Sequence, residues 1–203
     1  MLKLMFQRAT RSARTGSLLI AASLAVLFAS PVHSSELDKF NPATTDPELF
    51  RIAVRHSERL EVPEKGVKML VVMTDRKNGR VLKEKKVFLQ KTTATADAAK
   101  LANSQNGLVS IYRIPDRQIS KIRALQAKFL TLPETRRDEI AGSLSIDVTG
   151  CKLDPDDTGQ MLISTFLKSS EFSDFVALAT DYDLRNVPSG DLATNADPVR
   201  PCR

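Results

Sequence analysis

The chain has 203 residues, 30 Lys+Arg against 24 Asp+Glu, a formal net charge of +6, 5% aromatic residues and no tryptophan. Four of the cations, Lys3, Arg8, Arg11 and Arg14, lie in a leader that would end near Ser34, so its removal leaves 26 basic against 24 acidic residues, about +2. The remaining ~169 residues suffice for one domain with its own core, and their near-neutral balance excludes the strong basicity of a nucleic-acid binder.

The leader pairs those cations with a short apolar run, Ser17 to Ala29, followed by the small-residue stretch "SPVHSS". This is the organisation of a secretory signal peptide over residues 1–34. At 1.5 Å per residue the run falls short of a ~30 Å hydrocarbon core, so no transmembrane segment is expected once the leader is removed. Export to the periplasm follows as the expectation, with the extracellular space as the alternative. Residues 35–49 read as an irregular segment before a single β-rich domain over 50–185.

Along that domain, "LFRIAVRH" alternates with Phe50, Ile52 and Val54 on one side, which predicts a strand. "VKMLVVMT" and "RVLKEKKVFLQ" flank Asn78-Gly79, a turn dipeptide that predicts a β-hairpin. The alanine-rich "TTATADAAKLANSQNG" predicts a short helix stopped by Gly107, and "LVSIYRI" a further strand. From Asp116 the spacing of Ile119, Ile122, Leu125 and Phe129 predicts a helix, begun by Pro115 and Asp116 and ended before Pro133. Three strands follow, "SLSIDVTG", "QMLISTFLK" and "FVALATDYDL"; their short links predict antiparallel neighbours in a meander. Short strands with one or two helices in crossover connections predict a mainly β fold, an antiparallel β-sandwich of which the immunoglobulin-like arrangement is one form. A two-layer α+β sheet carrying the Asp116–Leu130 helix on one face is the alternative.

Cys151 and Cys202 both lie in the exported part and are the two cysteines of the chain. An even count in an oxidising compartment predicts a disulfide that ties back the proline-containing tail, residues 186–203. Between Cys151 and the next strand, "DPDDTG" matches the opening of a calcium loop at Asp154 and Asp156, with Thr158 where a stronger ligand belongs. The twelfth position is Thr165 instead of a bidentate glutamate, so a solvated turn is the expectation and no metal is assigned.

Catalytic motifs are sparse. After leader removal His56 is the remaining histidine, and it reads as an exposed strand-end residue rather than a general base. No G-x-S-x-G and no G-x-G occurs, so neither a nucleophile elbow nor a phosphate-cradling loop can be placed, and no cofactor is assigned. A basic patch is the remaining surface feature: Arg76, Lys77, Arg80, Lys83, Lys85 and Lys86 in the hairpin, and Arg117, Lys121, Arg123 and Lys128 on the helix, with Arg136-Arg137 close behind. If the two segments share a face, it would suit an anionic surface or an acidic partner; otherwise these cations are solvated decoration.

The expected function is that of an exported, non-enzymatic β-domain that binds or scaffolds an envelope protein or an anionic surface. A carboxylate-based envelope hydrolase is one alternative, and a basic module docking on anionic lipid or polysaccharide another.

Overall fold

The computed structural model describes residues 34–93, 96–103, 107–186 and 198–202. The leader therefore lies outside the described residues apart from Ser34, and so does the tail over 187–197. Within the described part, four short helices, α1 (Ser34–Leu37), α2 (Ala96–Asn103), α3 (Asp116–Leu130) and α4 (Glu134–Asp138), accompany ten strands. The strands are β1 (Arg51–His56), β2 (Leu60–Glu61), β3 (Val67–Asp75), β4 (Val81–Phe88), β5 (Gln90–Thr92), β6 (Leu108–Arg113), β7 (Ile140–Val148), β8 (Cys151–Lys152), β9 (Leu162–Lys168) and β10 (Val176–Asp183).

A five-stranded sheet in the order β10-β9-β1-β6-β5 and a three-stranded sheet in the order β4-β3-β7 share one core, with the two-residue pair β2-β8 beside them. All the strand pairings are antiparallel, as a β-sandwich requires. The Asn78-Gly79 hairpin forms as expected: Gly79 takes the left-handed φ of 70° that a side chain would resist, and the Asp75 N–H donates to the Arg80 carbonyl at 2.9 Å. Leu89, between β4 and β5, is the corner at which the chain passes from one sheet to the other. A later crossing, from β6 to β7, carries α3 and α4, so the clearest helix of the sequence does sit in a crossover.

β1 is the centre of the large sheet and is buried on both faces. Ile52 and Val54 enter the main core with Val67, Met69, Ile146 and Ile163, whereas Ala53 points the other way, into a small cluster with Ala98 of α2, Ile111 and Phe166. Each fully buried aliphatic side chain here contributes about 1.5–3 kcal/mol through removal from water.

Two expectations are corrected. β7 does not pair with β9 in a meander; it is the edge strand beside β3, while β9 lies between β1 and β10. The link between β7 and β9 is long enough to change sheets, and β8 pairs with β2 on the way, so proximity in sequence did not dictate neighbours here. His56 is not exposed: it is 7% accessible, because the register sets it between Leu108 of β6 and Ile163 of β9.

Candidate functional site

Opposite residues of an antiparallel pair share a face, so the register of the small sheet reveals how its inner surface changes along the strands. At one end Met69 lies between Val87 and Ile146, all three buried in the core. The next inward row is Val71 between Lys85 and Leu144, and the last is Met73 between Lys83 and Gly142. The core thus gives way to lysine on the β4 side and to glycine on the β7 side. The sandwich is closed at one end and open at the other.

Over the open end runs the second half of α3. Ile119 and Ile122 are buried, but Leu125 and Phe129, on the same helical stripe, are only half covered. Between helix and sheet lies a groove of about 390 Å³, within the range of small-molecule sites. Val71, Met73, Leu144, Leu125 and Phe129 give it an apolar wall, and Leu37 and Phe40 close it from the N-terminal side. Phe40 is anchored by tilted ring contacts to Phe50 and Phe172, both 6.4 Å between centroids, while Gln126 of α3 donates to the Pro42 and Thr45 carbonyls. The N-terminal segment is thereby a built part of the wall. A Cβ added at Gly142 would meet nothing within 4 Å, so this glycine leaves space in the groove that larger side chains fill elsewhere.

Polar side chains also reach the groove, Asn41 and Gln126 on the N-terminal side among them. Arg76 and Arg137 line it, as do Asp38, Asp138 and Ser143. The Arg76 Nε donates to the Ile140 carbonyl at 3.1 Å, which holds that arginine at the α4–β7 junction. Arg137 is half-buried, and among the described residues its guanidinium makes no hydrogen bond or ion pair.

A second, polar cleft of about 280 Å³ opens at the far end of β1, lined by Arg55, His56, Ser57, Arg59, Ser164 and Asp181 among others. It contains serine, histidine and aspartate, but not as a catalytic set. The Ser164 hydroxyl accepts from the Arg55 guanidinium at 3.0 Å and from the Asp181 N–H at 2.9 Å, and donates to the Asp181 carboxylate at 3.2 Å. That uses its one donor and both its acceptor sites. Asp181 also pairs with Arg55 at 3.0 Å, and Arg55 lies over the Phe166 ring. His56 turns its Nδ1 to the Ser57 carbonyl at 3.0 Å; a carbonyl only accepts, so Nδ1 carries the proton. The cleft is a clasp joining β1, β9 and the bulged strand β10.

The acidic loop after Cys151 is likewise occupied by its own chain. Asp154 and Asp157 accept from the backbone N–H groups of Asp156 and Gly159 in local turns. Arg59 pairs with Asp157 at 3.3 Å, and Arg185 donates to the Asp157 and Thr158 carbonyls. Guanidinium groups therefore stand against the oxygens that a cation would need, and Asp154 and Asp156 remain exposed.

The basic residues divide. Lys83 and Lys85 share the inner sheet face with Met73 and Val71, beside the groove. Lys86, Arg117, Lys121 and Lys128 are exposed; on α3 these cations stand opposite the stripe of Ile119 and Ile122. Lys77 is tied to Glu139 at 2.7 Å, Arg123 to Asp46 and Glu48, and Arg136 to Glu139; Arg80 is exposed at the hairpin turn. The register also sets Lys168, Arg51 and Arg113 side by side across β9, β1 and β6, a cationic row not visible in the sequence because its members come from distant segments. Burial, with the neighbouring Arg113 charge, lowers the pKa of Arg51.

Cys151 and Cys202 are joined as a disulfide, with Cα atoms 5.0 Å apart. No helix among the described residues is long and apolar enough to cross a membrane. Compared with protein-family models, with curated proteins and with solved structures, the chain matches none.

Proposed function

We propose that this protein is an exported, non-enzymatic β-sandwich that acts by binding, in the periplasm or cell envelope, and that the groove under α3 is where it binds. The observation that carries the reading is the graded inner face of the small sheet, packed at Met69 and left open at Gly142 under a helix whose stripe is only half covered. A helical stripe normally closes onto a core, and a preformed groove with an apolar wall and polar groups at its rim is a usual form of a small-molecule site. Export is supported by the leader-like N-terminus and by the Cys151–Cys202 bond, which persists in oxidising compartments.

A carboxylate-based hydrolase finds less support. It needs two converging acids, whereas the polar cleft offers Asp181, already committed to Arg55 and Ser164, and the two acids that line the groove, Asp38 and Asp138, are exposed.

Titration with a neutral, fluorescent naphthylamine tests the reading. Saturable binding that is lost in Gly142→Leu, with unchanged thermal unfolding, supports it. Absence of saturable binding to the wild-type protein, or equal binding by the variant, overturns it.

A further inference from the structure

We infer that the occupant of the groove is a single-chain carboxylate amphiphile, a free long-chain acid, with its tail along Val71, Met73, Leu125 and Phe129 and its head at Arg137 and Arg76. This rests on the groove being the binding site and adds the ligand's chemistry. An apolar wall selects a hydrocarbon, and a groove enclosed between one helix and one sheet has room for a single chain. The charge around it selects the head. Arg137 stands partly shielded at the apolar wall with no described partner, so its guanidinium can meet an anion without giving up another contact. Arg76, exposed but held at the α4–β7 junction through the Ile140 carbonyl, lines the same groove and offers a second guanidinium for a planar carboxylate. Lys83 and Lys85 stand on the same sheet face, one strand away from Val71 and Met73. Two acids also line the groove, Asp38 and Asp138, but both are exposed, where water screens their charge far more than that of the half-buried Arg137.

The experiment displaces the naphthylamine reporter with three twelve-carbon amphiphiles below their micelle concentrations: dodecanoate, dodecyl maltoside and dodecyltrimethylammonium. Dodecanoate is expected to displace at least tenfold more effectively than the cationic amphiphile. Arg137→Gln should abolish that preference, each displacement being scored against the variant's own reporter affinity, and Arg76→Gln should weaken it. Equal displacement by all three head groups would overturn the inference and leave the groove as a neutral apolar site. A reporter that does not bind at all would instead remove the underlying reading. Vesicles of anionic phospholipid separate the free acid from a membrane surface: binding to them that survives Gly142→Leu would contradict a single-chain occupant. A second copy seated in the groove would appear as a dimer at sedimentation equilibrium that dodecanoate does not dissociate, and would overturn the inference as well.

Discussion

Cys151 and Cys202 hold the end of the chain against β8: around their disulfide the Lys152 N–H donates to the Arg200 carbonyl at 2.9 Å and the Cys202 N–H to the Lys152 carbonyl at 3.0 Å. This small parallel bridge places Val199 in the main core, 2% exposed. With the cysteines 51 positions apart in sequence, the bond restricts the unfolded chain by about 4 kcal/mol in the loop-entropy model. The double variant Cys151→Ser, Cys202→Ser should therefore lose a comparable amount in urea unfolding, and the wild type should lose the same on reduction. A loss under ~1 kcal/mol would show that the tail is held by its other contacts.

Two glycines should respond in opposite ways to a methyl group. A Cβ at Gly66 would lie 2.7 Å from the Thr149 carbonyl oxygen and 2.9 Å from that of Pro63, both backbone atoms that cannot rotate away. Gly66→Ala should cost about 1–3 kcal/mol, as overpacked sites do. Gly142→Ala, facing open space, should be close to neutral in the same chemical denaturation series.

Asp181 adopts a φ of 49°, a left-handed conformation that asparagine tolerates and β-branched residues resist. Asp181→Asn keeps the conformation and loses the charge paired with Arg55; since the Asp181 side chain is 48% exposed, the cost should be about 1 kcal/mol or less. Asp181→Val adds the backbone strain, about 1–3 kcal/mol more. Equal stabilities for the two variants would mean that the bulge of β10 relaxes at no cost.

Three carboxyls at the surface have depressed pKa values: the partly exposed Asp46 through the Glu48 N–H and then Arg123, the exposed Asp116 through Arg113, and the partly exposed Glu139 through Lys77. A carboxyl with a lowered folded-state pKa stabilises the fold above its unfolded value and ceases to as pH falls through the folded one. The ordinary values are 3.8 for the aspartates and 4.5 for the glutamate, so this contribution is complete above about pH 5 and disappears on acidification below about 4. Melting temperature followed from pH 7 to pH 2.5 should show that acid limb, shallower in Asp46→Asn. Added salt should weaken it, because the pairs face water.

Local signals in the sequence translated directly into structure wherever short-range chemistry decides. Asn78-Gly79 specified its hairpin, Pro115 and Pro133 bracketed α3, and Phe50, Ile52 and Val54 went to one side of β1. What depends on long-range pairing was not legible: that β7 would join β3, that His56 would be covered by β6 and β9, or that two-residue strands β2 and β8 would form. The groove lay half-hidden in the same way. The stripe of Ile119, Ile122, Leu125 and Phe129 announced an apolar face, but only the register, setting Gly142 and Lys83 on either side of Met73, shows that its second half meets an opening instead of a core.

A methyl-detected NMR titration of the protein with dodecanoate tests binding in the groove most directly. Saturable shifts should concentrate on Met73, Val71, Leu125 and Leu144, with Val54 and Val67 of the packed core nearly still, and should be lost in Gly142→Leu. Shifts centred on Leu162 in the Arg55 cleft, or none at all up to the micelle concentration, would contradict it.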